Sequence, residues 1–284
     1  MEMVKVKIRK PISRKKKWIY IGIAALGMSL LACNTRLNSV HYSIQSKKVS
    51  DEITIALIAD LHSCDYGDGQ ERLLSQIDKE QPDLILLGGD IVDDKLPEDH
   101  AWEFLAAVAK RYPCFYVSGN HEFRSGSVGR MKKTIQGLGI PVLEGDNIAF
   151  AVEGQTIMVS GIDDPEVGEG VFRNQLEACG SKLNKEQFSL LLSHRPERIE
   201  AYRSYDFDLI LTGHAHGGQW RIPGILNGLL APHQGFFPKY AGGLYEFDRT
   251  SMVVSRGLAK ESTRIPRIFN RPEVVIVHVL PYKS

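Results

Sequence analysis

The sequence predicts one α/β domain over residues 51–284, and three observations predict it. Short, largely apolar runs recur at 53–59, 84–87, 114–117, 188–192 and 207–211, interrupted by Thr54, Ser189 and Asp208, the pattern of strands buried on both faces. Amphipathic stretches of helical period separate the first three of these runs. Every run ends in a polar side chain capable of holding a metal or moving a proton, and open α/β sheets place their sites at the carboxyl edge of their strands.

At 284 residues, with 43% hydrophobic and 24% charged residues, the chain can bury a full core. Its net charge of +1 hides an asymmetry. Residues 1–17 carry eight Lys/Arg and one acid, whereas the remainder carries 27 basic and 33 acidic residues. An acidic body excludes generic nucleic-acid binding. Cys33, Cys64, Cys114 and Cys179 show no CxxC spacing and no zinc-ribbon pattern.

The basic residues 1–17 precede an uncharged segment, 18–33. Three readings of it stand open: an uncleaved signal anchor, a cleaved signal peptide, and a lipoprotein leader in which Leu30-Leu31-Ala32 precedes Cys33. The anchor is preferred, as a transmembrane helix with a cytoplasmic tail at 1–17 and the catalytic domain on the exocytoplasmic side of the cell membrane. Its sixteen residues are short against the ~20 that span a bilayer. Residues 34–50 read as a linker, with room for an edge strand around Val40–Ile44.

The domain then unfolds in order. Ile53–Ala59 is a buried strand that runs into Asp60-Leu61-His62, and Glu71–Lys79 is a helix with Leu73, Leu74 and Ile77 on one face. Leu84–Leu87 is a second strand, ending at Gly88-Gly89-Asp90, and a helix over 98–111 follows around Trp102, Phe104, Leu105 and Val108. Cys114–Val117 is a third, ending at Ser118-Gly119-Asn120-His121-Glu122. Strand, polar end and helix in repetition make a βαβαβ unit with right-handed crossovers. A helix over 128–140, two or three strands over 141–162 including Pro141–Leu143, and a helix over 172–183 come next. Phe188–Leu192 leads to His194, and Phe207–Leu211 leads to Gly213-His214-Ala215-His216-Gly217-Gly218. In extended chain, residues two apart point the same way, so His214 and His216 can face one point. Segment 220–245 is rich in Gly and Pro yet apolar, and reads as a packed loop, a lid or a membrane-facing stretch. Strands over 252–255 and 274–279 close the chain.

Asp60, His62, Asp90, Asn120, His194, His214 and His216 thus stand at five strand ends. Each has an ordinary reading alone: a helix cap for the aspartates, a turn residue for Asn120, a partly buried histidine for His194. Together they form a donor set of oxygen and imidazole without thiolate, suited to Mn, Fe, Zn or Ni. Seven donors exceed one tetrahedral site and suit two divalent ions sharing a carboxylate, the arrangement used in phosphoryl chemistry.

With these blocks in order, Asp60-x-His62, Gly89-Asp90, Gly119-Asn120-His121-Glu122, His194 and Gly213-His214-x-His216, the sequence resembles the calcineurin-like metallophosphoesterase superfamily over residues 53–281. The resemblance implies a four-layer α/β/β/α sandwich of two mixed sheets. It implies two divalent metal ions, with Mn preferred: Asp60, His62 and His216 on one, Asn120, His194 and His214 on the other, Asp90 bridging. It implies His121 as the catalytic group at the leaving oxygen. Gly217-Gly218-Gln219, Pro238-Lys239-Tyr240, Ser255-Arg256-Gly257 and Asn270-Arg271-Pro272-Glu273 further resemble bacterial membrane-anchored phosphodiesterases. The expected activity is hydrolysis of a cell-envelope or lipid-linked phosphoester by a monomer. The alternatives are a pyrophosphatase acting on UDP-2,3-diacylglucosamine, whose substrate faces the cytoplasm, and a metal-binding scaffold without turnover.

Overall fold

The computed structural model describes residues 14–260 and 265–282. Residues 1–13 of the expected basic tail lie outside them.

Two sheets form the body. In the first, the strand order is β1 (Asn38–Ser46), β13 (Glu273–Pro281), β2 (Ile53–Ile58), β3 (Leu84–Gly88), β4 (Cys114–Val117). In the second it is β11 (Gly243–Glu246), β12 (Ser251–Val254), β8 (Leu209–Thr212), β7 (Ser189–Leu192), β6 (Gln155–Gly161), β5 (Asp146–Val152). Both sheets are mixed: β2, β3 and β4 run parallel and β13 antiparallel to β2, whereas β6, β7, β8 and β12 run parallel between antiparallel edges. A two-residue hairpin, β9 (Leu230–Ala231) with β10 (Gly235–Phe236), stands apart.

Strand alternation sorts side chains into three cores. Ile53, Ile55 and Leu57 of β2 meet Leu190 and Leu192 of β7 and Leu209 and Leu211 of β8 between the sheets. Ala56 and Ile58 face the other way, into a layer formed by α2 (Glu71–Glu80), α3 (Asp99–Val108) and α5 (Val128–Gly137). On the far side Leu191 and Ile210 pack under α6 (Glu169–Gly180) and α7 (Ile199–Tyr202). The layers are therefore α/β/β/α. Because the central strands are covered on both faces, they read in sequence as continuous apolar runs.

Three expectations change. Pro141–Leu143 is not a strand; Val142 makes one isolated bridge to Tyr116, since Pro141 supplies no N–H to a ladder. The edge strand allowed around Val40–Ile44 is present as the longer β1, paired in parallel with β13 along nine positions, so the linker is shorter than residues 34–50. The expected transmembrane helix over 18–33 is not found. Those residues lie in α1 (Arg14–Ala32), whose first turn is Arg14-Lys15-Lys16-Lys17, and among the described residues no helix is long and apolar enough to cross a membrane.

Candidate active site

All seven predicted donors converge where the two sheets meet at the carboxyl ends of their parallel strands. Asp60, Asp90, His194 and His214 each stand two residues past the end of β2, β3, β7 and β8. Asn120 opens the short helix α4 (Asn120–Arg124) behind β4. Each of the seven is at most 6% exposed.

The loops, not the strands, aim these side chains. Asp60, His62, Asp90, His214 and His216 all have left-handed backbone, with φ between 46° and 67°. For non-glycine residues this is strained, and such strain gathers at functional sites. The strand-alternation argument for His214 and His216 is thus corrected: they sit in a turn. The turns lock one another, because Asp60 N–H donates to Gly89 O at 3.0 Å and His62 N–H to Asp90 O at 2.9 Å. His214 N–H donates to both Asp60 oxygens at 3.0 Å, which couples the second sheet to the first.

Donor atoms of Asp60, His62 and His216 lie within 4.8 Å of one another, and so do those of Asp90, His194 and His214. Asp90 Oδ2 stands between the groups, 3.6 Å from His62 Nε2 and 3.1 Å from His194 Nε2. The Asn120 amide group lies 2.9 Å from His214 Nδ1, and as a metal donor it would present its oxygen at that position. The rings are held from behind. His194 Nδ1 is 2.8 Å from Gly88 O, and His62 Nδ1 is 2.8 Å from Asp93 Oδ2. Each contact fixes a proton on Nδ1 and leaves Nε2 to face the centre.

Fit to metal is visible in the unmet polar atoms. His62 Nε2, His216 Nδ1 and Asp90 Oδ2 are buried without a hydrogen bond. Buried polar atoms in folded proteins are paired, so three orphans facing one centre call for a ligand. A pair of divalent cations fits that donor set.

Charges follow the same geometry. Burial pushes the Asp60 carboxyl up, and His194 opposes it. Burial also pushes at Asp90, yet His194, His62 and His121 together hold its carboxyl well below the usual range. His194 is raised to about 10, with Asp90 overcoming burial. His214 and His216 are driven down by burial and by neighbouring cationic groups, and are neutral donors. His121 is less buried than the others; burial lowers it, but Asp93, Asp90 and Asp94 raise it to about 9. Its Nδ1 lies 2.6 Å from Asp94 Oδ1.

Sequence reading missed several residues that build the site. Asp93 and Asp94 follow Asp90 by one helical turn's spacing, a signal that could have been used. Asp93 is held far below the carboxylate range, because hydrogen bonds from His121 and His62 outweigh its burial. Asp93→Asn should weaken metal binding by about 10–100-fold, measured by titration of metal-stripped protein; unchanged affinity would remove Asp93 from the orienting role. Glu122, fully buried, accepts N–H groups from Gly119, Asp90, Ile91 and Val92. Asn270 Nδ2 donates to His216 O at 2.7 Å, from the loop ahead of β13 that is distant in sequence. Gly257, at φ 72°, lets the backbone pass Asp60: a Cβ there would stand 2.6 Å from the Asp60 Cβ. Of the arginines, Arg195 is occupied by a bidentate pair with Asp164, and Arg124 pairs with Glu166. Cys33, Cys114 and Cys179 are free.

The sequence matches the family model described as calcineurin-like phosphoesterase over residues 53–218. The chain is similar to the metallophosphoesterase YkuE of Bacillus subtilis, at 27% identity over 84% of each chain. It is similar to the phosphodiesterase YaeI of Escherichia coli, at 30% identity over 71% of this chain and 72% of that one. A solved structure, phosphopantetheinyl hydrolase from Mycobacterium tuberculosis, superposes with a TM-score of 0.49 at 14% identity, covering 83% of this chain and 100% of that one. The matched span takes in every strand-end donor from Asp60 to His216, and the chain belongs to the calcineurin-like phosphoesterase family of metal-dependent phosphoester hydrolases.

Proposed function

We propose that this chain is a dinuclear phosphodiesterase acting on a cell-envelope or lipid-linked phosphoester. The observation that carries the reading is the position of Asp90 Oδ2, grouped with His194 and His214 and also 3.6 Å from His62 Nε2 of the Asp60–His62–His216 group. Asp60, His62 and His216 hold one ion, Asn120, His194 and His214 hold the other, and Asp90 belongs to both. Mn²⁺ is the proposed metal, on the mixed oxygen and imidazole donors. When bound, two such cations neutralise phosphoryl oxygens and lower the pKa of water toward neutrality.

The chain's own residues supply the rest. His121 is pushed toward carrying a proton by Asp93, Asp90 and Asp94, is oriented by Asp94, and has Nε2 4.0 Å from Asp90 Oδ2. It is placed to give that proton to the leaving oxygen as general acid. Its own N–H donates to Asp90 Oδ1 at 2.7 Å, which fixes the distance between acid and bridge.

We place the domain on the exocytoplasmic side of the cell membrane, held there through its N-terminal segment. On that placement a pyrophosphatase acting on UDP-2,3-diacylglucosamine ranks second, since that substrate faces the cytoplasm.

The test is hydrolysis of bis-p-nitrophenyl phosphate by the purified chain with Mn²⁺ and with chelator. Turnover that chelator abolishes and Mn²⁺ restores supports the reading. A folded, metal-loaded chain inert toward this ester and toward phosphomonoesters points to a binding role. His121→Ala should lower kcat by about 10²–10⁴-fold while bound metal is retained. Loss of metal in that variant would overturn its assignment as the acid.

A further inference from the structure

Among the described residues, large apolar side chains are left exposed chiefly in two places. One is α1, where Trp18, Ile19, Tyr20, Leu26, Leu30 and Leu31 are among the exposed side chains. The other is the segment that follows His216: Trp220, Ile222, Ile225, Phe236 and Phe237, joined by Ile265. Elsewhere only Val171 and Tyr282 are comparably exposed. A contiguous apolar patch of this kind marks an interaction surface.

The second patch is built to project. Ile222 N–H donates to Leu226 O in a tight turn that carries Ile225, 85% exposed, at its tip. The β9–β10 hairpin sets Phe236 opposite Leu230, and Phe237 N–H donates to Leu229 O. Trp220, Leu229, Leu230, Phe236 and Ile265 line a cavity of about 240 Å³.

The two patches are tied together. Phe269 N–H donates to Ala32 O at 2.7 Å, at the end of α1. The neighbouring Ile268 bridges to Trp220, donates to Gln219 O at 3.1 Å and accepts from Arg221 N–H at 2.9 Å. Charge is one-sided as well. No Asp or Glu occurs in residues 14–50, 217–245 or 265–272, whereas Arg14, Lys15, Lys16, Lys17, Arg221 and Lys239 do. Aromatic and aliphatic side chains beside cationic ones, without acids, match an anionic bilayer surface.

We propose that residues 218–237 are a membrane-docking surface. Trp220, Ile225, Phe236 and Phe237 enter the headgroup and upper acyl region of an anionic bilayer, and α1 lies along the same interface. The docking holds whatever reaction the site performs. Its consequence is to bring the His214-His216 turn, two residues upstream, beside the lipid headgroups.

Trp220 reports on this directly, since the chain has three tryptophans and Trp18→Phe with Trp102→Phe leaves it alone. With that full-length chain on phosphatidylcholine–phosphatidylglycerol vesicles whose acyl chains are brominated, Trp220 emission should fall by roughly half. The fall should vanish when Ile225→Ser, Phe236→Ser and Phe237→Ser are added, with turnover of bis-p-nitrophenyl phosphate unchanged. Vesicle binding without quenching would mean that α1 docks alone and would overturn the proposal, as would no binding. Concentration-dependent self-association removed by the three serines, without quenching, would reassign the patch to a second copy of this chain. Quenching needs no turnover, so a failed phosphodiesterase assay leaves this test intact.

Discussion

Asp90→Asn should reduce turnover of bis-p-nitrophenyl phosphate by at least about 10³-fold, the scale seen when a group acting as part of a catalytic unit is removed. The size follows from what Asp90 touches. Oδ2 is buried without a hydrogen bond between His62 and His194, and Oδ1 accepts the His121 N–H. An amide keeps the shape, removes the negative charge and replaces one acceptor by a donor. Both donor groups lose a shared ligand, so bound metal should fall together with kcat. A variant within tenfold of the parent, still holding two ions, would refute the bridging role. The side chain is wholly enclosed, so a companion melting curve is needed to separate lost chemistry from lost fold.

Glu122→Ala should destabilise the fold by about 3–5 kcal/mol, because it strands several buried donors at once. Glu122 Oε2 accepts from Gly119 N–H at 2.8 Å and Asp90 N–H at 2.9 Å, and Oε1 from Ile91 and Val92 at 2.8 and 3.1 Å. In thermal unfolding the midpoint should drop by roughly 10 °C. Glu122→Gln should lie between the parent and Glu122→Ala, since one oxygen still accepts while the new amide opposes the other N–H groups. An unchanged midpoint for Glu122→Ala would show that the turn after β3 stands without it. The same carboxylate spaces Asp90 from Asn120 and His121, so metal affinity should fall in parallel.

The order of the strands and the donors was legible because both depend on local pattern. Strands covered on both faces must be apolar throughout, so β2, β3, β4, β7 and β8 announce themselves as runs. A carboxyl edge free of core side chains shows as an abrupt polar residue: Asp60, Asp90, Asn120, His194, His214. Helix bounds came within a few residues because α2, α3 and α5 each bury one stripe. Less legible were elements whose burial is set from afar. β1 is short of apolar residues because it is an edge strand, exposed along much of its length, and only pairing with β13 makes it part of the sheet. The N-terminal apolar segment resembled a span, but the cationic first turn belongs to the same helix and leaves too little apolar length.

Composition and spacing by themselves therefore determined the α/β class, the βαβ unit and the identity of the converging donors, because each is written in neighbouring residues. The tertiary structure decided how those donors face one another. Left-handed turns at Asp60, His62, Asp90, His214 and His216, rather than strand alternation, aim the side chains. It also chose the residues behind them: Asp93 on His62, Asp94 on His121, Glu122 under the Asp90 turn, Asn270 on His216. Those contacts join segments up to 54 residues apart, and the exposed loop at 220–237 is linked to α1 through Phe269 and Ile268. No local pattern encodes such pairings, since they form only when packing of the two sheets brings separate turns to one edge.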